Sequence, residues 1–188
     1  MIDKALQFTN QTLEQFLKFK LGLDENVVVT NSIIDVTGTL SKLNQNKIVL
    51  TLINLKRETI KPFYVRQKRV VNGYSDKTPV ERYNLDLLVT SNFDHYKETL
   101  KFLNDTILFF QINPVLNSNT SSNIPSGLLK LEFELESIDF HQMHSLWNAM
   151  GAKYQPSVIY KMRLITLDAN QTEGFESDVL QTSNSLSV

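Results

Sequence analysis

His141 and His144 stand three residues apart in the stretch DFHQMHSLWNAMGAKYQPSVIYKMRLI, residues 139–165. On a helix that spacing sets both rings on one face, as in a two-histidine metal site. A zinc site takes three or four ligands, and the remaining histidine, His95, belongs to a different segment. The HExxH spacing is absent and the chain has no cysteine. Phe140, Met143, Trp147 and Met150 form an apolar stripe beside His144, so that ring is expected to pack with one nitrogen hydrogen-bonded rather than to hold an ion. Glu132, Glu134 and Glu136 alternate along a strand-like run. Three like charges in a row suit a solvated face, or a patch for a basic partner, better than an acid–base pair. The six glycines form neither GxGxxG nor GxxxxGK[ST]. Composition leaves a Ser/His/Asp triad open, but no GxSxG elbow occurs. These residues point to a protein that is not an enzyme, with no catalytic residues, no metal and no cofactor.

The chemistry that remains is that of contact. Residues 56–79, KRETIKPFYVRQKRVVNGYSDKTP, are rich in Lys and Arg and carry a turn-like Asn72-Gly73 pair and two prolines. They read as a long excursion, an irregular hairpin, between core strands. Arg66, Lys68, Arg69, Tyr74 and Lys77 lie in it, and bases interleaved with aromatics can take single-stranded nucleic acid or a protein partner. The net charge of −1 and pI near 6.3 give no nucleic-acid footprint, so a protein partner is the reading preferred. Trp147 and Tyr154 flank Gly151. They serve either as core filling at a helix-to-strand corner or, with Tyr160, as an aromatic subunit interface, where Trp and Tyr are enriched. The interface candidates are thus Arg66, Lys68, Arg69, Tyr74, Lys77, Glu132, Glu134, Trp147 and Tyr154.

Several elements must position these residues. Leu6, Leu13, Phe16, Leu17 and Leu21 recur with helical period and Gly22 supplies the stop, so residues 3–21 are expected to form a helix. Strands are expected at 26–33, 46–55, 80–92, 128–137 and 156–167. The second is apolar on both parities, as in an interior strand covered on both sides. A helix is expected after Asp94, capped by that residue and stapled by Phe93, with Tyr96, Leu100, Leu103, Ile107 and Phe110 inward. Another is expected from 139 to 150, stopped by Gly151. In 128–137, Leu129, Leu131, Phe133 and Leu135 are expected inward, with Lys130 and the three glutamates outward. The order predicts one α+β domain, a mixed sheet of about five strands with about three helices packed on it. The boundaries are 1–167 for the domain and 168–188 for a flexible acidic tail, or one ordered only by a partner. The tail holds four acids and no base, so the chain's net charge of −1 leaves residues 1–167 at +3. Hydrophobic residues at 41% and charged residues at 21% are ordinary for a globular chain. No signal-peptide pattern and no membrane-length apolar run appear, so assembly in the cytoplasm is expected, with no membrane partner.

Three phrases carry a resemblance. They are VVVTNSIIDV after the first helix, PVERYNLDLLV (Pro79 to Val89) and LWNAMGAKYQPSVIYKMR (Leu146 to Arg163). The chain resembles, over about residues 3–167, the tail-terminator (cap) proteins of phage-tail-like extracellular contractile injection systems, of the antifeeding-prophage and Photorhabdus virulence cassette type. The resemblance implies a phage tail-terminator-like fold and a structural subunit of a sixfold ring. That ring would close the baseplate-distal end of tube and sheath, in a particle released from the cell or anchored in it. It implies as partners the chain itself, the tube and sheath proteins, and a second cap subunit where one exists. The alternatives are a tail-completion or adaptor protein at another position of such a particle, and a nucleic-acid-binding module working through the basic excursion.

Overall fold

The computed structural model of the chain describes residues 1–35, 37–57, 67–70, 73–77, 82–117, 123–166 and 172–177, with the backbone alone in 67–77, 82, 129 and 164–177. Helix α1 (Ile2–Leu21) buries Ala5, Leu6, Phe8, Leu13 and Leu17 at intervals that keep one face inward. It stops where Gly22 turns left-handed at φ 64°, and the Gly22 and Leu23 N–H groups both donate to the Lys18 carbonyl.

The main sheet has six strands: β1 (Val28–Thr30), β2 (Lys47–Arg57), β5 (Arg82–Asn92), β6 (Val115–Asn117), β7 (Leu128–Glu136) and β8 (Ser157–Thr166). Their spatial order is β1-β2-β5-β8-β7-β6; β1 runs parallel to β2 and every other pairing is antiparallel. Strands β3 (Gln67–Val70), β4 (Gly73–Lys77) and β9 (Thr172–Ser177) form a second sheet in the order β3-β4-β9.

Alternation along the central strands makes two cores. Ile48, Leu50, Leu85, Leu87, Val89, Leu131, Phe133, Tyr160 and Met162 point to one side, where α1 and α2 (Tyr96–Ile112) cover them. Val49, Leu88 and Ile159 point to the other, where Trp147 of α3 (Phe140–Ala149) and Ile33 complete a smaller core. The two-sided apolar pattern of β2 is therefore an interior strand packed on both faces, as its sequence indicates.

The phase of α2 differs from expectation. Tyr96 and Leu100 are exposed, while Thr99, Phe102, Asp105, Thr106, Phe109 and Phe110 face in. Polar residues set this face because each has a partner inside. Thr106 donates to the Phe102 carbonyl at 2.8 Å, Thr99 to the Phe93 carbonyl at 3.2 Å, and Asp105 accepts from Lys20 of α1 at 2.7 Å. The rings supply the rest: Phe102 stacks on Phe93 at 4.1 Å, and Phe109 meets Phe16 at 5.4 Å. Asp94 is not the cap. His95 holds the N-cap position, and the Asp94 carboxylate accepts from Asn46 at 3.0 Å, tying β5 to the turn before β2.

Strands β6 and β9 are elements not anticipated; Leu135, expected inward, is 55% exposed, and Phe140, at the start of the apolar stripe of α3, is 89% exposed. Strand β9 lies within the segment read as a tail; it pairs with β4 of the same chain, Tyr74 opposite Glu176 and Ser75 opposite Phe175.

Candidate functional site

The helix–strand corner at α3 is built around Trp147. Asp139 starts α3 with a reciprocal cap: its carboxylate accepts from the Gln142 N–H at 2.7 Å and its own N–H donates to Gln142 Oε1 at 3.0 Å. Gly151, at φ 67°, ends the helix and lets the chain turn back toward β8. Trp147 is buried in the smaller core, donates from Nε1 to Met143 Sδ at 3.2 Å, and meets Tyr154 edge-on at 5.7 Å. Only Tyr154 of that pair offers surface, at 63% exposure, and Tyr160 is buried in the larger core. Trp147 therefore positions the exposed Tyr154 ring and does not itself form the surface. His141 and His144 are exposed, and His144 Nε2 lies 3.0 Å from Asn148 Nδ2. Among the described residues no group of three His, Asp or Glu could hold a metal ion.

The second surface is the part of the sheet that α3 leaves uncovered. The register places Asn54, Asp86, Lys161 and Glu134 in one row across β2, β5, β8 and β7, and Lys56, Asn84, Arg163 and Glu132 in the next. Sign alternates from strand to strand. Lys56 reaches Asp86 at 3.0 Å, Lys161 reaches Glu136 at 3.0 Å and Arg163 reaches Glu134 at 3.3 Å, while Lys130 pairs with Glu132 along β7. Asp86 is nearly buried and also accepts from Asn54 at 2.9 Å. The hydrogen bond from Lys161 to Glu136, aided by the nearby Glu134 and Asp86 charges, raises the Lys161 amine above its ordinary range. Opposite charges facing each other across strands support the register of this face.

Of the residues expected to make contacts, Glu132 and Glu134 lie together in this array, and Trp147 and Tyr154 lie together at the α3 corner. Lys68 and Arg69 belong to β3, Tyr74 and Lys77 to β4, and Arg66 falls outside the described residues. Sequence reasoning missed Lys56, Asp86, Lys161 and Arg163. Their alternation with apolar neighbours was visible in NLKR and YKMR, but only the register shows that they meet the glutamates.

A shallow groove lies between α1 and β1, lined by Asp3, Leu6, Gln7, Asn10, Gln11 and Thr30. Its one acid, Asp3, is paired with the Met1 amine at 3.1 Å. No helix among the described residues is long and apolar enough to cross a membrane.

A family model described as the Pvc16 N-terminal domain matches residues 9–181. The chain belongs to that family. As a Pvc16 N-terminal domain it shares its fold with the anti-feeding prophage cap, the AFP tube terminating cap, at a TM-score of 0.62 and 11% identity, over 99% of this chain and 61% of that one. It likewise resembles the PVC sheath/tube terminator of an extracellular contractile injection system in the extended state, at a TM-score of 0.61 and 13% identity, over 99% and 65%. The chain thus spans somewhat under two thirds of the length of these two proteins. No curated protein matches the sequence. Among the described residues the architecture is α+β, with a mixed six-stranded sheet and three α-helices, and the fold is like that of these two terminator structures.

Proposed function

We propose that the chain is a cap subunit that closes the baseplate-distal end of the tube and sheath of a contractile injection particle, ending their polymerisation and fastening one to the other. The observation that carries this reading is the fold match over 99% of the chain to two proteins that are both terminators, within a family matched over residues 9–181. A closed ring of identical subunits, six on this reading, ends a polymer because its outer face lacks the contact that the next ring needs. The surfaces suit such work: a charge-patterned sheet face and an exposed tyrosine set against Trp147 favour extended protein contact over a small substrate. The function is then structural rather than enzymatic, the partners are the chain itself and the tube and sheath proteins, and assembly is in the cytoplasm.

On this reading residues 1–167 are the body that seats on the tube, and residues 168–188 are an appendage toward the sheath. Strand β9 has β4 on one side, so its other side can extend a sheet edge of a sheath subunit. The experiment is electron microscopy of particles made without this protein. Tubes and sheaths of uncontrolled length, restored to uniform length by the full chain, support a terminator. Uniform particles in its absence, or a label on this protein at the baseplate end, contradict it and favour an adaptor elsewhere.

A further inference from the structure

The two margins of the main sheet are treated differently by the sequence. At β1 the margin is closed by α1. The Val27 and Val28 N–H groups donate to the Glu14 carboxylate at 3.0 and 2.7 Å, and Asn10 Nδ2 donates to Thr30 Oγ1 at 3.3 Å. Covering an edge with helix side chains removes it as a template for further strands.

At β7 the margin is left open. The Phe133 N–H donates to the Pro114 carbonyl at 2.8 Å, so odd-numbered residues of β7 aim their backbone groups away from β8. Pro114 has no N–H to return, and Ile112, one residue before Asn113, belongs to α2. The ladder therefore stops there. By the same alternation the Leu135 N–H and carbonyl point off the sheet, and no backbone group of the described residues pairs with them. The side chains of Leu135 and Ile112 beside this gap are 55% and 60% exposed. The charge array ends at the same place: β2 contributes a base, β5 an acid, β8 bases and β7 acids. A strand added beyond β7 would continue that alternation if it were basic.

We infer that the open margin of β7 at Phe133–Glu136 receives strand β3 of the next copy of this chain as an added strand. β3 reads Gln-Lys-Arg-Val, is preceded by Arg66, and has β4 on one side only among the described residues. Donor and acceptor are different patches of one chain, so the contact is head-to-tail, the kind that closes into a ring. The inference rests on the ring proposed above and names the contact that makes it.

Two measurements on the full-length chain test it. Leu135→Pro removes the outward N–H and no ladder bond within the chain, since that group faces away from β8. Native mass spectrometry is expected to show the ring mass for the unaltered chain and the monomer mass for the variant, with unchanged circular dichroism. Because the chain has no cysteine, single-cysteine variants can also be mixed: Leu135→Cys with Lys68→Cys, and Leu135→Cys with Arg69→Cys. Successive strand residues alternate in face, so one of the two mixtures is expected to give a mixed disulfide dimer on oxidation. That result carries the inference even if Leu135→Pro does not fold. A ring that survives Leu135→Pro with neither mixture cross-linking overturns it. So does a variant that keeps its ring but no longer joins particles, which would assign the margin to a tube or sheath strand. An unaltered chain that stays monomeric at every concentration and on particles removes the ring reading itself, and is told apart by needing no variant.

Discussion

Glu14 is expected to be one of the most consequential single carboxylates for stability. It sits two thirds of the way along α1, its side chain is only 12% exposed, and it takes both the Val27 and the Val28 N–H. Glu14→Ala leaves two donors on a buried strand margin without a partner, since Val27 and Val28 are 8% and 7% exposed. A hydrogen bond to a charged group contributes about 1.5–3 kcal/mol, and the two share one acceptor group, so a loss of about 2–4 kcal/mol is expected. For a chain of this size each kcal/mol moves the melting temperature by roughly 2–4 °C, which places the variant on the order of 10 °C below the parent. Glu14→Gln keeps one carbonyl acceptor and should recover about half. Urea denaturation gives the free energy, and amide hydrogen exchange gives the cause: the Val27 and Val28 amides should lose protection beyond the global change. A loss under about 0.5 kcal/mol, with those amides still protected in Glu14→Ala, would refute the claim that this carboxylate holds the β1 margin.

Four further outcomes follow from the same geometry. Trp147→Ala empties the centre of the smaller core and should cost about 3–5 kcal/mol in urea denaturation, whereas Tyr154→Ala, at an exposed ring, should cost under about 1 kcal/mol. Burial raises the Tyr160 hydroxyl from 10.0 to about 12. A pKa raised on folding gives stability that is whole below the unfolded value and lost as pH rises through the folded one. Between about pH 10 and 12 the chain should therefore lose on the order of 2–3 kcal/mol, and Tyr160→Phe should flatten that slope in a pH series of melts. Lys161, raised by its bond to Glu136, has the same sign, and Lys161→Met should remove a further, smaller part of the slope above the ordinary lysine range. Gly151→Ala should cost about 1–2 kcal/mol through its φ of 67° alone, because the added Cβ meets Ile34 at an ordinary 3.6 Å; a melt unchanged from the parent would contradict that.

How far the sequence could be read depended on whether a residue's role was local. Gly22 and Gly151 as helix stops, the two-sided burial of β2, and the outward glutamates of β7 follow from period and turn chemistry within a few residues. All of them stand in the structure. The α2 face did not follow, because Thr99, Asp105 and Thr106 count as polar until their partners at Phe93, on α1 and on the helix backbone are known. Three-residue β6 has too few positions to show alternation. Its existence depends on β7 being there to pair with. Trp147 was open between core and surface because a helix of ten residues does not reveal which side meets a sheet. The charge array needed the register of four strands, a long-range property that no single segment contains. The pairing of β9 with β4 joins residues about a hundred positions apart, and composition alone pointed the other way.

The central claim is a position: this chain at the baseplate-distal end of the particle. It is tested most directly by cryo-electron microscopy of intact particles carrying a density tag on the chain. The account predicts tag density in a single closed ring on the last tube layer, at the end away from the baseplate. Tag density at the baseplate, along the sheath, or absent from particles whose tube length is normal would contradict it.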